Sequence, residues 1–293
     1  MIKPHKPRLC IGLPVYNGEK FLAQAIESLL GQTFSDFRLV VSDNASTDGT
    51  PEICRSYAAR DPRIEYVRAD ENRGAAWNFN RLVPLADSPY FKWHAYDDLC
   101  EPEFVARCVD VLDRNPAVVL AYTKSHFIDA EGRRLAAYHC RVDASRETPF
   151  ARFRDLLANL VLCHMQFGVI RLAVLRQTLL YGPFLGSDKI LLADLALRGA
   201  FHEVDDSLFL RRNHPERSLL ACRTPEELRA WFAPGARPRQ SVRWARLAGY
   251  LRTITRAPIP LAQKVACAFL VLERPLVNRT KLGRPSEPDP WPA

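Results

Sequence analysis

What this 293-residue chain lacks narrows its identity. It has no Cys-x-x-Cys: its eight cysteines, at 10, 54, 100, 108, 140, 163, 222 and 267, are scattered. That excludes a zinc ribbon or a paired redox motif and predicts reduced, mostly buried thiols. Its longest apolar run, Val265 to Leu272, falls far short of the ~20 residues a spanning helix needs. Met1-Ile2-Lys3-Pro4-His5-Lys6-Pro7 leads into a strand and not into an apolar leader segment, so a cytoplasmic protein is expected, soluble or peripheral at the inner face of the cytoplasmic membrane. Internal repeats and low-complexity segments are missing too. Acidic residues are absent from Arg237 to Leu272, while Arg237, Arg239, Arg243, Arg246, Arg252, Arg256 and Lys264 are basic, so the net charge of +8 is concentrated late in the chain. No aromatic-basic platform or reader motif accompanies that charge, which argues against nucleic acid as a partner.

What is present is a regular alternation. Leu9 to Leu13, Phe37 to Val41, Arg63 to Val67, Tyr90 to Ala95 and Ala117 to Tyr122 read as strands. Helical stripes or caps lie between them, at Glu19 to Leu30, from Thr50-Pro51, at Ala75 to Leu85, and from Pro102 to Asn115-Pro116. This predicts an α/β fold with a mostly parallel sheet and helices on both faces. Past residue 125 the rhythm loosens, with helices expected at Pro149 to Leu162, Arg171 to Leu180 and Lys189 to Gly199, and a strand at Ser207 to Arg211.

Acids stand where strands end. Asp43 closes the second strand in Ser42-Asp43-Asn44-Ala45-Ser46-Thr47-Asp48-Gly49-Thr50; it is either an Asx-type turn residue or an acceptor for a nucleobase N–H. Asp97 and Asp98 follow the fourth strand, either as acids at a helix N-terminus or as hard oxygen ligands for a divalent cation holding a diphosphate. Open α/β sheets bind ligands in the crevice at strand C-termini, where all three acids fall. After the first strand, Pro14-Val15-Tyr16-Asn17-Gly18-Glu19 is a plain turn or a site placing Tyr16 against a base; it has no glycine-rich phosphate loop, which argues against a sugar nucleotidyltransferase.

Pro14-Val15-Tyr16-Asn17-Gly18-Glu19-Lys20-Phe21-Leu22, Ser42 to Thr50, Asn72-Arg73-Gly74-Ala75-Ala76-Trp77-Asn78 and Asp97-Asp98 with Pro102 resemble, in order and spacing over residues 8 to 125, the family 2 glycosyltransferases of GT-A fold. The resemblance implies inverting transfer of a sugar from a nucleotide-diphosphate donor, a UDP-sugar before GDP or dTDP, to a saccharide or lipid-linked acceptor in bacterial surface polysaccharide synthesis. It assigns Pro14, Tyr16, Asn17, Glu19, Asp43, Arg73 and Asp97 to the donor site, with Asp43 on the uracil. It assigns Mg²⁺ or Mn²⁺ to Asp97, Asp98 and His214, the last in an Arg-x-His-like stretch from Arg211 to Ser218. Where the family shows Asp-x-Asp-Asp, this chain has Ala95-Tyr96-Asp97-Asp98, so the first acid is missing. The family's general base, an acid at a helix start, maps to Asp188, for which a helix cap is the competing role; Asp194 is the second choice. His94 and His164 read as packing residues. The alternative to an enzyme is an inactive nucleotide-sugar-binding or membrane-scaffold protein on the same fold.

The expected organisation is a catalytic domain over 1–225, a basic amphipathic helical extension over 226–283 and a disordered tail over 284–293. In the extension Trp244, Leu247, Ala248, Leu251 and Ile254 share one helical face, with Arg239, Arg243, Arg246, Arg252 and Arg256 on the remaining arc. That pattern suits an anionic membrane surface or a helix packed on the catalytic domain.

Overall fold

The structure, a computed structural model, describes residues 6–215, 224–234 and 241–273. The expected tail over 284–293 lies outside them. The first half alternates: β1 (Leu9–Val15), α1 (Leu22–Leu30), β2 (Phe37–Asp43), α2 (Thr50–Arg60), β3 (Ile64–Arg68), α3 (Ala75–Leu85) and β4 (Tyr90–Trp93). After it come β5 (Leu99–Cys100), α4 (Phe104–Arg114), β6 (Val118–Ile128), β7 (Arg134–Tyr138), α5 (Pro149–Asn159), β8 (Val169–Arg171), α6 (Leu172–Leu175), α7 (Ser187–Arg198) and β9 (Ala200–Arg212). Three further helices follow: α8 (Pro225–Phe232), α9 (Val242–Arg256) and α10 (Leu261–Glu273).

The strands form one sheet in the order β3-β2-β1-β4-β8-β6-β9-β5, with β7 added to β6. β1, β2, β3, β4, β6 and β9 run one way; β5, β7 and β8 run against them. Every residue of β1 is buried, as befits a strand covered on both faces. The chain winds from β1 out to β3 and returns to place β4 on the other side of β1. Right-handed crossovers therefore set α1 and α2 on one face and α3 on the opposite one. Register pairs Val15 with Asp43 and Gly12 with Trp93, so the loops leaving β1, β2 and β4 open at one edge. The reversal between β1 and β4 is the topological switch point, where such sheets hold their ligands.

The second half departs from expectation in several places: β5 and β7 add to the expected strands, and β9 begins at Ala200 where a strand is expected only from Ser207. The stretch read as a helix over Arg171 to Leu180 holds only the four-residue α6, preceded by β8, which wedges antiparallel between β4 and β6. A three-residue strand has too little pattern to announce itself. Among the described residues no helix is long and apolar enough to cross a membrane, and the seven described cysteines are free thiols, six of them buried.

Candidate active site

Two loops at the switch point are stitched together before any ligand arrives. Asn17 N–H donates to Ser46 Oγ at 2.9 Å, and Asn17 Oδ1 accepts from Thr47 N–H at 2.9 Å. Gly18 N–H donates to Thr50 Oγ1 at 2.8 Å, Glu19 N–H to Asp48 Oδ2 at 3.1 Å, and Glu19 Oε2 accepts from Gly49 N–H at 2.7 Å. Asn17 and Ala45 hold left-handed backbone, at φ 50° and 63°. Such strain persists only where its surroundings fix it. Buried Asn78 of α3 ties both strand ends from below in sequence order, donating to Val15 O and Ser42 O and accepting from Ser42 Oγ.

A cavity of about 700 Å³ opens at this edge. Pro14 lines it from the end of β1, Tyr16 and Asn17 from the loop after it, Ala95 and Asp97 from the loop after β4, Asp188 from the start of α7, Arg211 from the end of β9 and His214 from just beyond it. The structure thus brings six predicted site residues to one space. Asp97 Oδ2 lies 3.1 Å from His214 Nε2. Burial alone would raise the Asp97 carboxyl; the bond from His214 and the charge of Arg211 outweigh it and hold Asp97 below its ordinary value. Asp188 occupies the first turn of α7, where the helix dipole favours an acid; the N-cap position itself is left-handed Gly186, and Asp188 Oδ1 accepts from Lys189 N–H at 2.8 Å.

Four other predicted residues lie outside the cavity lining. Asp98, expected among the metal ligands, is fully buried, with Oδ1 accepting from Arg212 N–H at 2.9 Å and Oδ2 3.1 Å from Arg211 Nη1; it ties β9 to the acid motif. Burial and neighbouring Asp97 push its carboxyl up to about 7, against the pull of Arg211. Asp43 has no exposed surface: Ser46 N–H holds Oδ1 at 2.8 Å, while the Tyr66 hydroxyl and Arg68 hold Oδ2 at 2.7 and 3.3 Å. Glu19 seats the start of α2, and Arg73 pairs with Glu71 and lies over the Trp77 ring. Asp194, the second choice for a base, is buried on Arg198 and Leu179 N–H, away from the cavity lining. His94 and His164 are packed, on Asp98 O and on Ser125 Oγ.

Several contributors escaped the sequence reading. Buried Arg212 gathers Asp97 O, Asp129 O, Ala130 O and Gln24 Oε1, fixing the acid loop from a distance of 115 residues. Trp231 and Phe232 of α8, assigned to the extension, also line the cavity. Gly74 makes their approach possible: at φ +85°, a Cβ there would sit 2.4 Å from Phe232 O. Arg246, assigned to the basic arc of α9, donates to Leu185 O at 2.8 Å, three residues before Asp188. Tyr250 and Ile254 are buried, so much of the apolar side of α9 packs on protein while Trp244 stays open. Repeating neighbours would not reveal these contacts; each joins segments far apart in sequence.

Among the described residues no three His, Cys, Asp or Glu side chains cluster to hold a metal unaided. Asp97 and His214 supply one carboxylate and one imidazole. His214 Nδ1, Arg211 Nε and Ser187 Oγ are buried without a hydrogen-bond partner among the described residues. One or two protein ligands, completed by substrate phosphates and water, are enough for Mg²⁺ or Mn²⁺, so the donor set fits such an ion.

A switch-point cavity walled by an acid from the β4 loop and an acid from a helix start defines a transferase domain of GT-A architecture. The chain belongs to glycosyl transferase family 2, whose family model matches residues 10–180. It is 29% identical over 159 residues to chondroitin synthase of Escherichia coli, covering 54% of this chain and 22% of that one. To the chondroitin synthase of Pasteurella multocida it is 26% identical over 141 residues, 48% of this chain and 14% of that one, so the chain spans less than a quarter of these relatives. In structure it resembles S. aureus TarS residues 1–349 in complex with UDP, at TM-score 0.65 and 17% identity, covering 91% of this chain and 71% of that one. It also resembles the mannosyltransferase PcManGT from Pyrobaculum calidifontis in complex with GDP-Man and Mn2+, at TM-score 0.53 and 17% identity, covering 93% and 83%.

Proposed function

We propose that this chain transfers a glycosyl unit, with inversion, from a nucleotide-diphosphate sugar to a saccharide or lipid-linked acceptor in surface polysaccharide synthesis. The observation that carries the reading is that Asp97 and Asp188, 91 residues apart, line the same switch-point cavity. In this reading the diphosphate lies toward Asp97, His214 and Arg211, and the acceptor toward Asp188. Asp188 takes the proton from the acceptor hydroxyl as that oxygen bonds to the anomeric carbon and the bond to the nucleoside diphosphate breaks on the opposite side. Arg211 adds positive charge beside the leaving group. Asp97 and His214 would hold Mg²⁺ or Mn²⁺, which when bound neutralises charge on the departing diphosphate. Tyr16, Pro14 and Asn17 flank the nucleoside; Asn44 and Asn72, which line the cavity where Asp43 does not, offer it polar contacts. UDP is the favoured nucleotide on the family resemblance. The catalytic unit runs through Pro234, because α8 walls the cavity.

A thermal-shift and hydrolysis panel of UDP-, GDP- and dTDP-sugars, with and without Mn²⁺, tests this. A metal-enhanced shift with slow release of the nucleoside diphosphate from one donor is expected. A shift without release, given saccharide acceptors, would favour the inactive binding protein that the missing acid at Ala95 suggests.

A further inference from the structure

Four large apolar side chains of α10 stand open to solvent: Leu261 at 75% exposure, Val265 and Phe269 at 61%, and Leu272 at 60%. At ~100° per residue they fall within an arc of about 80°. Elsewhere on the same helix Cys267 and Val271 are buried, and the helix packs on α5 and α9. The helix is thus apolar on two sides, of which one is covered. Single exposed apolar residues need no explanation, but four aligned on one stripe mark a contact surface.

Charge decides what that surface meets. The chain has no acid from Leu228 to Leu272. Arg252 and Arg256 are exposed on the last turns of α9, and Lys264 of α10 donates to Thr255 O at 2.8 Å, joining the two helices. A second copy meeting this face would bring like charges together, which costs energy. An anionic bilayer satisfies the stripe and the cations at once. We propose that α10 is the membrane-docking element of this protein. It lies in the plane of a bilayer containing anionic phospholipid, with Leu261, Val265, Phe269 and Leu272 at the acyl boundary and Arg252 and Arg256 at the headgroups. Of the two roles that the sequence of α9 suits, its apolar side largely serves the packing one, against α7. This inference stands apart from the choice of donor.

Co-sedimentation of the full chain with vesicles of phosphatidylcholine, alone or mixed with phosphatidylglycerol, tests it. Binding to the mixed vesicles should exceed binding to phosphatidylcholine alone by about tenfold or more and weaken with salt. Val265→Asp/Phe269→Asp should lose it by a similar factor at an unchanged melting temperature, because both sites are exposed. Arg252→Glu/Arg256→Glu should remove the preference for the anionic lipid. Absence of binding to mixed vesicles, or binding untouched by the apolar double variant, overturns the proposal. So does a vesicle-free dimer, seen by ultracentrifugation, that the same double variant breaks.

Discussion

The two walls of the cavity are held by different means. The wall formed by the loops after β1 and β2 is the more local: six hydrogen bonds between residues 17–19 and 46–50, 29 to 32 apart in sequence, lock two short motifs against each other. The wall formed by Asp97, Asp188, Arg211 and His214 is assembled over long sequence distances, through Arg212 on the acid loop and Arg246 on the turn before α7. The first wall therefore tolerates loss of one bond among several, whereas the second depends on single anchors.

Arg212→Met should show this most strongly. It leaves Asp97 O, Ala130 O and the Gln24 amide oxygen without the Arg212 donor, while Asp129 O keeps Gly132 N–H, and stability should fall by about 3–5 kcal/mol. The check is chemical denaturation; a loss under 1 kcal/mol would mean that the anchor is dispensable. Asp97→Asn keeps the shape of the site but removes its charge beside the diphosphate, so turnover should drop about 10²–10³-fold and metal stimulation should vanish, measured as nucleoside diphosphate release with and without a chelator. On the local wall, Asn17→Ala loses the bond to Thr47 N–H and puts a residue with no compensating side chain in left-handed backbone; about 1–2 kcal/mol is expected by melting. Ala45→Gly should do the reverse, relieving φ 63° for a gain of about 0.5–1 kcal/mol. A destabilised Ala45→Gly would show that the backbone freedom glycine adds to the unfolded chain outweighs the strain relieved.

The same division explains what could be read in advance. α3 spans Ala75–Leu85 as its pattern foretold, and the strands from β1 to β4 fall where apolar runs place them, because period and turn chemistry are local signals. Motif order singled out Asp97 and His214, and the structure puts both on the cavity. Asp98 and Asp43 look the same in sequence as Asp97, yet their oxygens are occupied by Arg211, Arg212, Tyr66 and Arg68. Which carboxylate faces a ligand and which fastens the fold is decided by partners as far as 114 residues away. Trp231 and Phe232 were hidden for the same reason, as was Arg246, whose place in a basic helical arc concealed a bond to the turn before Asp188.

The most direct test pairs two readings on one variant, Asp188→Asn: affinity for UDP in the presence of Mn²⁺, and acceptor-dependent release of UDP from the donor found in the panel. The account predicts unchanged affinity with release reduced about 10²–10⁴-fold, as for loss of a general base. Release at the wild-type rate would contradict it and move the base elsewhere on the cavity wall.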